Sequence, residues 1–245
     1  MRDSAAGVGN ATSSAPSVRG KQCVIAVDGS AASGKSTVGR RLAEKLGYPF
    51  LDTGLMYRAV TLAALERGSD IQDGDALSRL AGSLVLEVGP PTPGSLETCA
   101  ITVDRVDVTA QLRRADVEEA VSLVSRVAGV REALVRQQRE IAGRQPMVMA
   151  GRDIGTVVLP EADLKVYLDA SISERARRRH SEFMEHGREV THSMVLEDLR
   201  RRDQIDSERS VSPLRPAADA VVISTDGLSQ DEVLRRVLRL VEDAP

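Results

Sequence analysis

The apolar residues of this chain form short runs that alternate with segments of helical periodicity. The first run, at 23–28, is apolar almost throughout, which is typical of a strand buried on both faces of a parallel sheet. Strands that alternate with helices predict an α/β fold, in which a five-stranded parallel sheet is flanked by helices. The five predicted strands are 23–28, 49–51, 147–149, 164–168 and 220–223.

Helices are predicted between these strands. The helix over 35–46 has an apolar residue at every fourth position, at Val38, Leu42 and Leu46, which forms a stripe for the core. Further helices are expected over 56–67, over one long region from 116 to 142, over a charged hairpin at 173–204 that breaks near Gly187, and over 231–241. Two of them are predicted to begin with a capping box, Ser171 with Glu174 and Ser229 with Glu232.

Residues 84–108 have a different pattern. Short β-like runs at 84–88, 98–103 and 106–108 are separated by a Gly- and Pro-rich stretch at 89–94 and by residues 104–105. This arrangement predicts a small antiparallel sheet, inserted between the strands of the core. Residues 1–20, rich in Ala, Gly, Ser and Thr, are predicted to be a disordered tail outside the fold.

Composition restricts the classes of function. Aromatic residues make up 2 % of the chain, with no Trp, so a base-stacking surface for single-stranded nucleic acid is not expected. The net charge of -3 also disfavours a nucleic-acid-coating surface. Cys23 and Cys99 lack a metal-binding spacing and are expected to be reduced thiols of a cytoplasmic protein. No apolar run approaches the ~20 residues that a membrane span needs.

A phosphate-binding motif follows the first strand. The sequence GSAASGKS at 29–36 fits G-x-x-x-x-G-K-[ST], with a predicted strand before it and a predicted helix after it. Small residues let backbone N–H groups converge on phosphate oxygens, Lys35 would reach the β- and γ-phosphates, and Ser36 would bind the Mg²⁺ that accompanies ATP. The predicted ATP-binding residues are Gly29, Ser30, Ala31, Ala32, Ser33, Gly34, Lys35, Ser36 and Thr37.

This motif indicates a nucleotide but not a reaction. The only asparagine is Asn10, in the tail, so the N-K-x-D motif with which GTPases read guanine is absent. No LSGGQ-like segment is present, which speaks against a transporter ATPase. A small-molecule kinase remains, and transfer between two polyanions needs fixed cations, for which arginine is best suited.

Four further segments make the assignment specific. They are DTGLMYR at 52–58, GRDIGTVV at 151–158, ERARRR at 174–179 and RDQIDSER at 202–209. Together with the motif at 29–36, they closely resemble bacterial-type cytidylate kinases, which are P-loop nucleoside-monophosphate kinases. The resemblance runs from about Val24 to Leu240 and implies transfer of the γ-phosphoryl group of ATP to CMP or dCMP.

The resemblance also implies a division of the chain. A single kinase domain over 21–245 with the P-loop NTPase fold would have its core at 21–52, 143–172 and 212–245. A monophosphate-binding region at 53–142 would carry the antiparallel sheet, and a helical lid would span 173–205. The protein is expected to act in the cytoplasm on small molecules, without nucleic acid or membrane, and a monomer is the default expectation because the sequence gives no evidence for a permanent oligomer.

Roles for individual residues follow from the resemblance. The phosphate of CMP would be held by Arg58, Arg152 and Arg209, and its sugar or phosphate by Asp206 with Arg202. Thr53 and Tyr57 would line the pocket. The cytosine edge would be read by Ser122, Arg131 and Asp153, because a carboxylate with donors matches an amino group beside acceptors. Lid arginines Arg175 and Arg179, four residues apart on one helix face, would stabilise the transferring phosphoryl group. The predicted catalytic residues are Lys35, Arg152, Arg175 and Arg179.

One position departs from the family pattern. The family has Asp or Glu immediately before Gly-Arg-Asp, where an acid holds a magnesium-bound water, but this chain has Ala150. Either another acid serves, with Asp28 or Asp153 the nearest candidates, or turnover is reduced. Two alternatives therefore stay open, namely a P-loop kinase for another small phosphate acceptor and a nucleotide-binding protein with reduced turnover.

Overall fold

A computed structural model describes residues 23–91, 97, 99–185 and 187–243. The predicted tail at 1–20 lies outside the described residues. The strands are β1 (Val24–Gly29), β2 (Phe50–Asp52), β3 (Leu86–Gly89), β4 (Ala100–Val103), β5 (Val106–Asp107), β6 (Met147–Gly151), β7 (Leu164–Asp169) and β8 (Val221–Ser224). The α-helices are α1 (Lys35–Leu46), α2 (Thr53–Glu66), α3 (Gly74–Ser83), α4 (Ala115–Ser125), α5 (Ala128–Ala142), α6 (Ile172–Glu185), α7 (His192–Ser207) and α8 (Gln230–Glu242).

The larger sheet has five parallel strands in the order β2-β6-β1-β7-β8, which confirms the predicted fold class. Successive residues of β1 point to opposite faces of this sheet. Ile25 and Val27 pack in a cluster with residues of α1 and α8, whereas Ala26 packs in a cluster with residues of α2 and α5. Helices therefore cover both faces, which explains why β1 is apolar throughout.

The smaller sheet is antiparallel, in the order β3-β4-β5, and it confirms the predicted insertion. Asp104 and Arg105 form the turn between β4 and β5 with positive φ values of 49° and 71°. Positive φ at both central residues is typical of the tight turn that matches the twist of a hairpin. Part of the stretch at 89–94 lies outside the described residues.

Between β2 and β6 the chain contains one helix that was not predicted, α3, and one break inside a predicted helix. Helix α3 buries Leu77 and Leu80 and is capped by Asp73, signals that were present in the sequence. The long region predicted at 116–142 is two helices, because the chain becomes extended at Val127. Gly129 lets α5 approach α3 closely, since a Cβ there would lie 2.3 Å from Ser78 Oγ.

The charged hairpin forms as two helices, α6 and α7, and α8 begins with the predicted capping box at Ser229 and Glu232. The capping box predicted at Ser171 is only half made. Glu174 N–H donates to Ser171 Oγ, but Ser171 N–H donates to Asp226 instead of Glu174. The Glu174 carboxylate instead accepts from Arg177 and Arg178 on the same helix, which compete for it. None of the described helices is both long enough and apolar enough to span a bilayer.

Candidate active site

A cavity of about 380 Å³ opens where β1, β2 and β6 end, between the turn 29–37, the region 53–142 and the lid. Adjacent parallel strands end at the same edge of a sheet, so segments far apart in sequence meet there. Among the predicted site residues, Gly29, Ser30, Ser33 and Arg175 do not line the cavity. Those that line it are Ala31, Ala32, Gly34, Lys35, Ser36, Thr37, Thr53, Tyr57, Arg58, Ser122, Arg131, Arg152, Asp153, Arg179, Arg202, Asp206 and Arg209.

The turn between β1 and α1 is shaped to receive an anion. Ala32 and Gly34 have positive φ values of 59° and 96°, which curl the backbone. Helix α1 begins with Gly34 as its N-cap, and because glycine has no side chain to cap the first turn, the N–H groups and the positive end of the helix dipole can serve an anion. Gly29 is required at the base of this turn, because a Cβ there would lie 2.4 Å from the Leu168 carbonyl oxygen.

Lys35 is the buried cation of this turn. It is only 7 % exposed, and its Nζ donates to the Ser30 carbonyl oxygen at 3.0 Å. Burial and the charge of Arg152 lower the pKa of Lys35 to about 7, although nearby carboxylates partly oppose this. A phosphate that enters the cavity would favour the charged ammonium, because an opposite charge raises the pKa of a lysine.

Arg152 and Arg209 are arranged around one aspartate. Arg152 Nε donates to Asp206 Oδ2 at 2.9 Å, and Arg209 Nε donates to the Asp206 carbonyl oxygen at 3.2 Å. Burial raises the pKa of Asp206, but the charges of Arg152 and Arg209 outweigh it and hold the pKa below its usual value. Arg209 Nη2 is buried and has no hydrogen-bond partner among the described residues, so it is a donor available to a ligand.

A second set of polar residues lies toward α4 and α5. Arg131 is 2 % exposed, donates to Asp153 Oδ2 at 2.6 Å, and lies 5.1 Å from the centroid of the Tyr57 ring. This buried ion pair fixes the orientation of the Asp153 carboxylate. Ser122 lines the same part of the cavity, and Thr53 Oγ1 donates to the Ala150 carbonyl oxygen at 2.9 Å.

The cavity contains an acid that was not predicted, Asp52. It ends β2, and its register partner on β6 is Ala150, the position at which the family pattern has an acid. Ser36 Oγ donates to Asp52 Oδ2 at 2.6 Å, and Gly54 N–H donates to Asp52 Oδ1 at 3.0 Å. Asp52 is the first residue of the DTGLMYR segment, which was the sequence signal for it.

The two acids expected to replace the one missing at Ala150 are occupied elsewhere. Asp28 is buried outside the cavity lining and accepts the backbone N–H groups of Ile154 and Gly155, at 2.8 and 2.7 Å. Asp153 is paired with Arg131. Asp28 and Asp153 are thus engaged by other partners, whereas Asp52 accepts the hydrogen bond of Ser36.

Asp28→Asn is expected to alter the pH dependence of stability. Burial raises the pKa of Asp28 to about 6, above the 3.8 of an exposed aspartate. Because the folded protein binds this proton more tightly than the unfolded chain, protonated Asp28 stabilises the fold below pH 3.8. This stabilisation, up to about 3 kcal/mol, is lost as the pH rises to 6. Because asparagine does not titrate, the wild-type free energy of unfolding should fall by about that amount, relative to the variant, over this range.

Urea unfolding of both proteins at a series of pH values measures this difference directly. Titrating groups that do not interact with Asp28 behave alike in the two proteins and cancel in the difference. A difference that stays constant between about pH 4 and pH 7 would show that Asp28 keeps an ordinary pKa in the folded protein.

The lid arginines do not point the same way. Arg175 is buried outside the cavity lining and donates to the Asp203 carboxylate at 2.6 and 3.1 Å and to the Ala31 carbonyl oxygen at 3.3 Å. Arg179 lines the cavity and pairs with Glu118 and Glu182. Although both start from one helix face, the carboxylate on α7 draws Arg175 toward it. Arg175 therefore connects α6 to α7 and to the turn 29–37.

Some residues of the site carried no predicted role. Arg178 joins the lid to the core through the Ser33 carbonyl oxygen and Thr225. Arg113 lines the cavity and pairs with Glu97. Arg178 belongs to the ERARRR segment, but no sequence pattern indicates its partners, which are remote along the chain.

Comparison with known proteins gives one consistent family. The cytidylate kinase family model matches residues 25–243. A cytidylate kinase of Herpetosiphon aurantiacus is 48 % identical over 217 residues, which cover 89 % of this chain and 93 % of that protein. A cytidylate kinase of Exiguobacterium sibiricum is 46 % identical over 224 residues, 91 % of this chain and 99 % of that protein.

Proposed function

This chain belongs to the cytidylate kinase family, and we propose that its cavity binds ATP at the turn 29–37 and CMP or dCMP beside it. The reaction transfers the γ-phosphoryl group of ATP to CMP or dCMP and yields ADP with CDP or dCDP. The observation that carries the site assignment is that Lys35, Arg152 and Arg209 all line one cavity. This convergence of cations is what two phosphorylated substrates, held end to end, require.

On the ATP side, the curled backbone and the start of α1 would bind the phosphates. Lys35 would contact the β- and γ-phosphates from its buried position next to Ser30. The lid would cover the nucleotide, with Arg179 directed at the transferring group and Arg175 holding the lid to the turn through Asp203 and Ala31.

On the acceptor side, Arg58, Arg152 and Arg209 would bind the phosphate of CMP. Arg209 has an unpaired Nη2, and the fork of Arg152 is already oriented by Asp206. Asp206 with Arg202 would contact the sugar or its phosphate. The same Asp206 keeps these like charges together, since a carboxylate between guanidinium groups offsets their repulsion.

The base would be read by Asp153 with Arg131 and Ser122. The Asp153 carboxylate, oriented by Arg131, can accept a hydrogen bond from the exocyclic amino group of cytosine. Uracil presents an acceptor at that position and would leave the carboxylate without a donor. A buried site of this kind can reject the mismatched base by up to about 10⁴-fold.

Transfer itself needs positioning and charge stabilisation. The bond between the γ-phosphorus and the bridging oxygen breaks, its electron pair stays on ADP, and an oxygen of the CMP phosphate forms the new bond. No covalent enzyme intermediate and no strong general base are required. Lys35, Arg152 and Arg179 are the groups proposed to stabilise the charge of the transferring phosphoryl group.

The residues present fit a magnesium ion that arrives with ATP. Ser36 Oγ and Asp52 Oδ2, which lie 2.6 Å apart, are hard oxygen donors at the start of α1. Ser36 and Asp52 would hold the ion together with the phosphates, and Asp52 would replace the acid missing at Ala150. When bound, the ion would supply positive charge that offsets the negative charge of the ATP phosphates.

Asp52→Asn is expected to lower kcat by about 10- to 100-fold and to raise the Mg²⁺ concentration that half-maximal activity requires. Asparagine caps a helix as well as aspartate does, so α2 should be unaffected and the change isolates the charge. The measurement is initial rate against Mg²⁺ at saturating ATP and CMP.

Asp73→Asn is the matched control for this substitution. Asp73 caps α3 in the same way but does not line the cavity, so kcat and the Mg²⁺ requirement should match the wild type. An unchanged Mg²⁺ requirement in Asp52→Asn would exclude Asp52 as the replacement acid.

We further propose that the protein works in the cytoplasm as a monomer on small molecules alone, without nucleic acid or membrane. Its net charge of -3 and the concentration of arginines in one cavity support this. Light scattering after size exclusion, with and without ATP and CMP, tests the monomer, and a stable dimer under both conditions would overturn it.

A panel of acceptors tests the function directly. ADP release should be measured with AMP, GMP, UMP, CMP and dCMP at equal concentrations. We expect CMP and dCMP to be the preferred acceptors. Preference for AMP or UMP would reject the proposed reading of the base by Asp153, and binding of ATP and CMP without transfer would reject the proposed catalytic roles.

A further inference from the structure

Glu118 is a buried acid that belongs to none of the motifs in this sequence. It lies in the first turn of α4, its side chain is 9 % exposed, and it does not itself line the cavity. Its carboxylate pairs with Arg58 and Arg179, which do line the cavity, and with Arg188, which does not. Oε1 accepts from Arg58 at 3.1 Å and from Arg179, and Oε2 accepts from Arg188 at 3.1 Å.

These partners come from two regions that border the cavity. Arg58 belongs to α2, in the region 53–142, whereas Arg179 and Arg188 belong to the lid. A fourth arginine, Arg202 on α7, donates to the carbonyl oxygen of Glu118 at 2.6 Å. Glu118 thus connects the lid to the monophosphate-binding region.

Two arginines of the lid, Arg179 and Arg188, contact the same aromatic ring. Arg179 and Arg188 lie over the ring of Phe183, with their guanidinium carbons 4.5 and 4.4 Å from its centroid. Because both arginines lie on the Phe183 ring, both can reach the Glu118 carboxylate. Arg179 thereby lies next to Arg58, since both donate to Glu118 Oε1. Without the carboxylate, repulsion between the two positive charges would oppose this arrangement.

Electrostatics support a strong interaction. Burial raises the pKa of Glu118, but the charges of Arg179, Arg58 and Arg202 and the hydrogen bond from Arg188 outweigh it, so that the pKa falls to about 2. Burial lowers the pKa of Arg58 to about 10, and Glu118 is the first charge that opposes this. Glu118 is therefore ionised at neutral pH and serves as the shared counter-ion of the arginines.

We propose that Glu118 is a positioning residue that draws the lid onto the monophosphate-binding region and holds Arg58 and Arg179 in place for phosphoryl transfer. The proposal rests on the function proposed above, because it assigns those arginines to the substrate phosphates. Glu118 lies outside the cavity lining, whereas Arg58 and Arg179 line it. Phosphates in the cavity can therefore bind the remaining N–H groups of these arginines while the carboxylate stays in place.

The first test measures the position of the lid. Spin labels at Val106→Cys and Met184→Cys, two exposed positions on the small sheet and the lid, report the distance between these parts. Cys23 and Cys99 are buried, which favours selective labelling of the two introduced sites. Pulsed electron resonance should give a short, narrow distance for the labelled wild type, and longer, broader distances for E118Q.

Ligands should then restore closure. A non-hydrolysable ATP analogue with CMP is expected to return E118Q to the short distance, because the phosphates supply the missing negative charge. An unliganded E118Q that has the wild-type distance distribution would overturn the proposal. If E118Q does not fold, E118D serves instead. Its side chain is one methylene shorter, so we expect its carboxylate not to reach Arg58 and Arg188 together.

The second test separates positioning from competition. E118Q should lower kcat by about 10- to 100-fold and raise the KM for CMP, because displaced arginines contact the phosphates poorly. If E118Q instead binds CMP more tightly with kcat unchanged, Glu118 competes with the substrate and the proposal is wrong. E119Q is the matched control, because Glu119 is an exposed neighbour on the same helix and should behave as wild type.

Failure of the proposed function would look different. A wild-type protein that does not phosphorylate CMP would reject that function, while the unliganded distance distributions would still decide the role of Glu118 in lid closure.

Discussion

Lys35→Met is expected to lower kcat by about 10³-fold or more, with a much smaller change in the KM for CMP. Lys35 is the buried ammonium of the turn 29–37 and is already held by the Ser30 carbonyl oxygen at 3.0 Å. A fixed charge of this kind requires no reorganisation when negative charge shifts during transfer, so its contribution appears mainly in the transition state.

The measurement is ADP release at saturating ATP and CMP. Methionine has a similar length and removes a charge from a buried position, so the fold should be kept, and urea unfolding checks this. Lys45→Met is the matched control, because Lys45 is exposed in the last turn of the same helix and should leave kcat unchanged. A kcat of Lys35→Met within tenfold of the wild type would show that the arginines alone stabilise the transferring group.

Asp153→Asn is expected to reduce the preference for CMP over UMP by about 10²- to 10³-fold. The wild-type carboxylate can only accept hydrogen bonds, so it matches the amino group of cytosine and repels the oxygen of uracil. The asparagine amide can rotate to accept from one base or donate to the other. Arg131 loses its charged partner at 2.6 Å but keeps a hydrogen-bond acceptor of the same shape.

The ratio of kcat/KM for CMP to that for UMP reports this selectivity. Most of the loss should come from a lower kcat/KM for CMP, and UMP should gain. Asp163→Asn makes the same change in an aspartate that accepts the Val24 N–H at 2.7 Å and lies outside the cavity lining, so its ratio should not move. An unaltered ratio in Asp153→Asn would mean that other groups read the base.

The order of elements and the anion-binding turn were decided by local sequence. The apolar run that becomes β1 and the four-residue spacing of Val38, Leu42 and Leu46 on α1 each fix the secondary structure of their own segment. The turn between them depends on glycine at 29 and 34, where the backbone has positive φ. Such signals lie within a few residues of each other, so they can be read along the chain.

Most of the cavity lining was also predicted, because motif positions at the carboxyl ends of strands must meet at one edge of the sheet. Lys35 follows β1, Arg152 and Asp153 follow β6, and these residues line one cavity, as expected. The split of 116–142 into α4 and α5 was not predicted, since the break at Val127 has neither Pro nor Gly.

Only the tertiary structure decided which partner each charged side chain takes. Asp52 lies beside Ala150 because β2 and β6 are neighbours in the sheet, and there it accepts a hydrogen bond from Ser36. Arg175 and Arg179 share a helix face, yet Asp203 draws one and Glu118 the other. Arginine side chains are long, so each can pair with any carboxylate that folding brings near. Which carboxylate is near depends on distances between remote segments, and no periodic pattern in the sequence encodes these distances.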